Sequence, residues 1–248
     1  MTDSTISIVA IGGSTRPDSS SERAVRLAAR GARDAGAHVT TITGRELMLP
    51  IYDTETSDRT PQALALVEAV RGAHGLLVAS PSYHGGVSGM MKNALDYIED
   101  LASHDPPYLH GRAVGCIAVA YGWQATVSTL QQLRQITHAL RGWPTPLGAT
   151  INAADTRFAE DGSTSDAAAA EQLRAGLIDE RVGHAFVVAQ RRSGAAGGPF
   201  ALLRDREHRL RHTGLRARHR AAFKLGQRRD AGDLFDEVGF ALHVGTPR

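Results

Sequence analysis

The chain has 248 residues, of which 42% are hydrophobic and only 5% aromatic, with a single cysteine and a formal net charge of +2. One cysteine excludes a disulfide framework and a cysteine-rich metal site, and no run of 18 apolar residues or export signal is evident, so we expect a cytoplasmic protein. The two parts of the chain differ in charge. Residues 1–190 carry 15 basic and 20 acidic side chains, whereas residues 191–248 carry 13 basic and 6 acidic ones.

The first 190 residues alternate between short β-rich runs and longer helical patterns. The apolar, β-branched run at residues 6–11 predicts a strand buried on both faces. Further β-rich runs predict strands at residues 38–43, 75–80, 113–120 and 147–151. Helices are predicted at about residues 21–35, an Ala-rich stretch closed by Gly36, and at about residues 61–71 and 126–140. Apolar residues at helical spacing predict two more at about residues 88–101 and 166–188. Ser19 and Glu22 have the spacing of a capping box before the first helix, and Thr60 precedes Pro61 as an N-cap for the second.

Five βα units without a tandem repeat predict an open parallel sheet that is covered by helices on both faces. In such sheets ligands bind at the carboxyl ends of the strands, where the strand order reverses. We therefore look for chemistry in the loops that follow the first, third and fourth strands.

The loop after the first strand, residues 12–21, is rich in glycine and hydroxyl side chains. Its N–H groups lie at a positive helix end, and Arg16 has a guanidinium that can contact two phosphate oxygens. The loop has neither the Walker pattern nor Gly-x-Gly-x-x-Gly, which disfavours a triphosphate or a dinucleotide. We predict a terminal phosphate monoester here, the alternative being an ordinary polar turn with a serine N-cap.

The loop after the third strand, residues 80–89, combines a proline with several glycines. This composition lets backbone approach a planar ligand, which Tyr83 and His84 would border. Backbone N–H groups are expected to donate to the ring of that ligand.

Two motifs together resemble the NAD(P)H-dependent FMN reductase family. They are Gly-Ser-Thr-Arg-x-x-Ser at residues 13–19 and Pro-Ser-Tyr-His-Gly-x-x-Ser-Gly-x-x-Lys-Asn-Ala-Leu-Asp-Tyr at residues 81–97. The family usually has Glu and Asn where Ser82 and His84 stand here. The resemblance covers about residues 5–189 and implies a flavodoxin-like fold: a doubly wound, five-stranded parallel sheet of order 2-1-3-4-5, followed here by a C-terminal basic extension.

The resemblance implies FMN as cofactor and NADPH or NADH as hydride donor. The side chains that would hold the FMN phosphate are Ser14, Arg16, Ser19 and Ser21. The residues that would line the flavin ring are Pro81, Ser82, Tyr83, His84 and Gly85 on one side, and Tyr121 and Gly122 on the other. Trp123 would either stack on the nicotinamide or cap the pocket.

The resemblance also implies a homodimer or homotetramer, with residues 47–52 near the subunit interface; a core-facing loop is an equal reading of that segment. The electron acceptor would be a small molecule: a flavin, a quinone or an azo compound. Because the flavin carries the redox chemistry, no catalytic residue is assigned. Tyr83 or His84 is a candidate for proton delivery to a quinone or azo acceptor.

Three other functions remain as alternatives: a quinone or azo reductase with tightly bound FMN, a non-enzymatic electron carrier of the flavodoxin type, and an interaction module that has lost flavin.

Cys116 lies in an apolar run and is interpreted as an inert core thiol. Lys92 is expected to be solvated or interfacial, with attraction of a nicotinamide phosphate as the alternative. The histidines are scattered, so no metal site is predicted.

Residues 191–248 are interpreted as a separate tail. They begin with a Gly-rich linker and continue with an Arg-rich segment that has no sustained apolar stripe. We expect a disordered or loosely helical extension, or coding sequence read in a foreign frame. Nucleic-acid or anionic-surface binding is the alternative, because positive charge alone gives unspecific, salt-sensitive attraction.

Overall fold

The computed structural model describes residues 5–174 of the chain. Its strands are β1 (Ser7–Gly12), β2 (His38–Thr43), β3 (Gly75–Tyr83), β4 (Gly86–Val87), β5 (Ala113–Ala120), β6 (Trp143–Pro144) and β7 (Ala149–Asn152). Its α-helices are α1 (Ser20–Asp34), α2 (Pro61–Gly72), α3 (Gly89–Asp96), α4 (Trp123–Ala139) and α5 (Ala167–Arg174). Two 3₁₀ helices lie at Gly44–Leu47 and Tyr97–Leu101.

The main sheet is parallel and has the order β2-β1-β3-β5, with β6 and β7 both pairing along the outer edge of β5. Counting β6 and β7 as one outer position, this is the predicted 2-1-3-4-5 order. The flavodoxin-like fold expected from the sequence is therefore confirmed. Residues 175–188 of the last predicted helix and the basic tail lie outside the described residues.

The outer strand differs from the single strand predicted at residues 147–151. It is interrupted between Pro144 and Ala149, and the local bond from the Thr145 hydroxyl to the Leu147 carbonyl, 2.7 Å long, turns the chain between the two pieces. Pro144 itself does not end the pairing, because the N–H groups of Trp143 and Thr145 on either side of it donate to carbonyls at the start of β5, at 2.8 Å and 2.9 Å. The break is a shift in register: Val114 pairs with Pro144 but Ile117 pairs with Ala149, so two extra residues leave the ladder between the two pieces.

Two hydrophobic layers cover the sheet. One face packs against α1 and α5, with Ala10 and Leu77 among its buried residues. The other face packs against α2, α3 and α4, and includes Val9, Leu76 and Cys116. The alternation of neighbouring strand residues between the two layers is what a sheet buried on both faces requires.

The third helix is shorter than the predicted 88–101. It ends at Asp96 and continues as the 3₁₀ helix, but the apolar face expected from the sequence is buried throughout: Met91, Ala94, Leu95, Ile98 and Leu101. α4 begins at Trp123, three residues before the predicted Thr126. The Thr126 hydroxyl donates to the Trp123 carbonyl at 2.7 Å, so Thr126 stabilises the first turn and does not begin the helix.

The strand order reverses at β1, because β2 pairs on one side of it and β3 on the other. The chain leaves β1 into α1 on one face of the sheet and leaves β3 toward α3 on the other face. The crevice between these two connections lies at the carboxyl ends of the strands, where ligands bind in open α/β sheets. No helix within residues 5–174 combines the length and the apolar character needed to cross a membrane.

Candidate functional site

The loop after β1, residues 12–19, is called the β1 loop. A Cβ on Gly12 would lie 2.8 Å from the Cβ of Ala79, so this end of β1 packs directly against β3. Gly13 has a φ of 116° and lies close to Gly44, where its own Cβ would be 3.1 Å from the Gly44 nitrogen. The glycines therefore give the loop its close approach to β3 and to the 3₁₀ helix that follows β2.

The hydroxyl side chains of the β1 loop are held in place. Ser14 accepts the N–H of Arg16 on Oγ at 3.2 Å, and Ser19 caps α1 by accepting the N–H of Glu22 at 3.3 Å. The hydroxyl of Ser21 lies 3.2 Å from that of Ser19. All three serines are buried.

Donors at this end of α1 remain available to a ligand. Within the described part of the chain, the N–H groups of Ser20 and Ser21 have no acceptor, as is usual in the first turn of a helix. The exposed Arg16 side chain likewise forms no hydrogen bond or ion pair with residues 5–174. Arg23 differs, since it donates to the carbonyls of Asp18 and Phe158. Free amides at a helix N-terminus beside an unpaired guanidinium fit a phosphate.

Glu22 does not complete the predicted capping box. Its Oε1 accepts hydrogen bonds from Arg26 at 2.7 Å and from the Thr43 hydroxyl at 3.3 Å, which links α1 to the end of β2. Its Oε2 is buried without a partner among the described residues and faces Gly44. The spacing with Ser19 predicted only the Ser19 half of the motif correctly.

The predicted loop after the third strand is partly a β-hairpin. β3 extends through Tyr83 and pairs antiparallel with β4 across a two-residue turn, His84–Gly85, called the β3 turn. The φ angles of these residues are 53° and 77°, and both positions therefore have the left-handed backbone of a tight hairpin turn. Within residues 5–174 the turn's two N–H groups have no acceptor. They are available to a planar ligand with acceptors on its edge.

Three side chains of α4 donate hydrogen bonds to this hairpin. They are Ser128, Thr129 and Gln132, and we call them the α4 clamp. Ser128 and Gln132 both donate to the Gly85 carbonyl, at 2.8 Å and 3.3 Å. The Thr129 hydroxyl donates to Ser82 Oγ at 2.8 Å. The Ser82 side chain is thus engaged with α4.

Aromatic side chains surround the crevice. Tyr83, Tyr121 and Trp123 have 58%, 77% and 55% of their surfaces exposed. Tyr121 and Gly122 follow β5, and Gly122 occupies the N-cap position of α4. Because Pro81 pairs with Val119 in the sheet, the end of β5 lies beside the hairpin.

The second sequence motif also has structural roles. Lys92 forms an exposed ion pair with Asp96, in which its ammonium group donates to both carboxylate oxygens, at 2.6 Å and 2.9 Å. Asn93 bonds to the backbone of the segment at residues 47–52, in which Leu47 is fully buried and Ile51 is 84% exposed. The segment therefore faces both the core and the surface.

Sequence reasoning missed the α4 clamp and the hydrogen bond between Thr43 and the Glu22 carboxylate. Hydroxyls and amides on a helix are ordinary surface residues in a sequence, and only the packing of α4 on the hairpin gives Gln132 its role. The described residues contain no cluster of three or more His, Cys, Asp or Glu side chains that could bind a metal ion.

Comparison with known proteins agrees with this architecture. The sequence profile of the family described as NADPH-dependent FMN reductase matches residues 6–156. The NADPH azoreductase of Bacillus sp. (strain OY1-2) is 31% identical over 86 residues, which are 34% of this chain and 45% of that protein. The FMN-dependent NADPH-azoreductase of Staphylococcus aureus is 32% identical over 117 residues, covering 47% of this chain and 58% of the relative.

The chain thus spans about half the length of the curated relatives it matches. Among solved structures, the flavoenzyme NAD(P)H:(acceptor) oxidoreductase FerB of Paracoccus denitrificans superposes with a TM-score of 0.55. The alignment covers 73% of this chain and 94% of that one at 19% identity, a likeness that concerns the fold.

Proposed function

Because the chain belongs to the NADPH-dependent FMN reductase family, we propose that it is an FMN-dependent reductase that oxidises NADPH or NADH. When bound, FMN would accept a hydride from the nicotinamide and deliver two electrons to a small-molecule acceptor. The observation that carries the proposal is a set of backbone donors at two neighbouring loops for which residues 5–174 supply no acceptor: the amides that begin α1 and the amides of the β3 turn.

The β1 loop is proposed to bind the phosphate of FMN. The N–H groups of Ser20 and Ser21 would donate to phosphate oxygens at the positive end of α1. The Arg16 guanidinium would supply a charge-assisted, two-pronged contact. Ser14, Ser19 and Ser21 would shape the pocket with hydroxyls, of which those of Ser14 and Ser19 already accept local N–H groups.

The hairpin is proposed to bind the flavin ring. The N–H groups of His84 and Gly85 would donate to acceptors on the ring edge, while Pro81, Ser82 and Tyr83 contribute backbone and one aromatic wall. Tyr121 and Gly122 would approach the opposite side. Such neutral donors orient the ring and favour negative charge on it without any titrating side chain.

Trp123 is proposed to border the place where nicotinamide and acceptor bind in turn. An exposed indole at the start of α4 offers a face for a planar ring. An aromatic azo compound is the favoured acceptor class, because two curated relatives are named azoreductases; quinones and free flavin are the alternatives. Tyr83 and His84 remain the candidates for proton delivery, to be tested by the acceptor turnover of Tyr83→Phe and His84→Ala.

The organisation of the whole protein is part of the same proposal. We propose a cytoplasmic homodimer or homotetramer, in which residues 1–190 form the reductase domain and residues 191–248 a separate basic extension. The change in charge at residue 190 supports this division.

Absorbance of the full chain mixed with FMN, before and after anaerobic addition of NADPH, tests the proposal. A reductase bleaches the flavin band and then oxidises NADPH steadily once an azo dye is added. A flavodoxin-type carrier would bind FMN without steady NADPH oxidation. A chain that leaves FMN fluorescence unquenched would contradict flavin binding altogether.

A further inference from the structure

We infer that the α4 clamp is a set of positioning residues for the flavin ring. Its members would not touch the ring; they hold the β3 turn, whose N–H groups are proposed to contact it. The inference rests on the proposed function and extends it to a helix that neither sequence motif includes.

The Gly85 carbonyl is the centre of the arrangement. It accepts from the Ser128 hydroxyl at 2.8 Å and from Gln132 Nε2 at 3.3 Å, two donors one helical turn apart on α4. A peptide group is planar, so fixing this carbonyl toward α4 also fixes the plane of the following peptide unit. The clamp therefore restrains the Gly85–Gly86 peptide unit, which directly follows the two turn N–H groups that have no acceptor within residues 5–174.

Gln132 binds the hairpin through both ends of its side-chain amide. While Nε2 donates to Gly85, Oε1 accepts the Val87 N–H at 3.1 Å, so the amide pairs with the hairpin backbone as a neighbouring strand would. Gly86 permits this approach, because a Cβ there would lie 3.2 Å from Gln132 Oε1.

Thr129 fixes the strand that enters the turn. It is fully buried, and its hydroxyl donates to Ser82 Oγ at 2.8 Å. The turn is thus held at its apex by two members of the clamp and at its base by the third.

The hydrogen bonds of the clamp offset the conformational cost of the backbone at His84. A non-glycine residue in the left-handed region costs about 1 kcal/mol or more, and it persists only where the surroundings impose it. Two hydrogen bonds of about 1 kcal/mol each to the next carbonyl are of the size needed to offset that cost. Without them we expect the turn to relax and the N–H groups of His84 and Gly85 to change their orientation.

The test compares Ser128→Ala/Gln132→Ala with the control Gln131→Ala in the full chain. Gln131 is the same residue type, exposed on the same helix, without a hydrogen bond to the hairpin. Dissociation constants for FMN and for riboflavin are measured by fluorescence quenching. We expect the double variant to raise both by a similar factor, about tenfold for a net loss of about 1.4 kcal/mol, because the ring is common to both ligands.

A second readout separates positioning from a general loss of structure. The N–H donors stabilise the negative charge that the flavin ring gains on reduction. If their hydrogen bonds to the ring weaken in the double variant, the reduction potential of bound FMN should fall. Thr129→Val should lower it as well, and Thr129→Ser, which keeps the hydroxyl, should restore the wild-type value. These variants remain informative if the double variant folds poorly.

The outcomes distinguish the inference from the function on which it rests. If wild-type protein binds FMN and the double variant matches Gln131→Ala in affinity and potential, the inference is overturned and the proposed function stands. If wild-type protein binds neither flavin, the proposed function fails and the inference with it. An affinity loss for FMN that riboflavin does not share would also overturn the inference, because it would place the effect at the phosphate.

Discussion

The backbone N–H of Tyr52 donates to Asn93 Oδ1 across 2.8 Å, although the two residues are 41 positions apart in the chain. The Asn93 amide nitrogen donates in turn to the carbonyls of Leu49 and Pro50, at 3.2 Å and 2.8 Å. One side chain of the second sequence motif thus fixes the segment between β2 and α2 onto α3.

Asn93→Ala should therefore lower the free energy of unfolding by about 2 kcal/mol, because it leaves several backbone groups of the segment without partners. Lys92→Ala is the matched control on the same helix. Its ion pair with Asp96 is exposed, and such pairs contribute about 0–1 kcal/mol. Urea denaturation of both variants measures the difference, and equal losses would contradict this role of Asn93.

Asp100 should make stability depend on pH in acid. Arg59 donates to both of its carboxylate oxygens, at 2.8 Å and 2.9 Å, and the Tyr52 hydroxyl donates to Oδ1 at 3.0 Å. The Arg59 hydrogen bonds lower the pKa of Asp100. A carboxylate with a lowered pKa binds its proton less well in the folded than in the unfolded chain. Its contribution to stability is therefore complete above about pH 4 and is lost as the pH falls further.

We expect Asp100→Asn to lower the free energy of unfolding by roughly 1–3 kcal/mol at pH 6, the size of hydrogen bonds to a charged group. The difference between variant and wild type should shrink as the pH falls below 4. Denaturant titrations at several pH values provide the measurement. A difference that stays constant from pH 6 to pH 3 would show that the protonation of Asp100 is not responsible.

Cys116 should be unreactive in the folded protein. It is buried in β5, and burial raises the pKa of its thiol to about 11. Since the thiolate is the reactive form, a chromogenic disulfide reagent at pH 8 should label the native chain only as fast as the chain unfolds. Labelling should be immediate in denaturant. Cys116→Ala should keep NADPH oxidation, and fast native labelling would contradict the assignment of Cys116 as a core thiol.

Gly12→Ala should disturb both stability and flavin binding. The added methyl group would meet the Ala79 Cβ at 2.8 Å and Val25 Cγ1 at 3.1 Å, where sheet and helix are already in contact. Overpacking of this kind costs about 1–3 kcal/mol and would shift the β1 loop. Gly72→Ala is the control, because within residues 5–174 no atom outside its own helix and its chain neighbours lies within 4 Å of its added Cβ. Thermal melting and FMN titration of both variants provide the test, and identical behaviour would contradict close packing at the end of β1.

Buried strands were the most predictable part of the fold. β1 and β5 lie within one residue of their predicted bounds, because their apolar runs reflect burial on both faces. β2 also matches its predicted bounds, although it is a partly buried edge strand, because β-branched residues favour strands. The extension of β3 was not predictable in the same way. Pro81 marks a strand end in most sequences, and the hairpin depends on the left-handed conformation of His84, which a sequence does not display.

In the candidate site, too, some residue roles could be predicted from the sequence and others could not. Ser19 could be assigned as a helix cap from its local spacing, since a cap bonds within its own turn. The link that Glu22 makes between α1 and β2 could not be predicted in this way. The partner of Glu22, Thr43, is 21 residues away and reaches it only through the packing of α1 on β2. Roles that depend on contacts between elements, like that of Gln132, required the structure.

The interrupted outer strand bears on how the protein avoids aggregation. An unpaired strand edge is a template on which another chain can add its own backbone, and a long, flat edge is the most dangerous kind. β7 offers only four consecutive residues, and in β6 Pro144 removes a donor from the outer edge, because the N–H groups of Trp143 and Thr145 on either side of it point to β5. The same break that separates the two short strands therefore leaves little edge for intermolecular strand addition, and filling it with a continuous β-branched run should make the protein more prone to form fibrils.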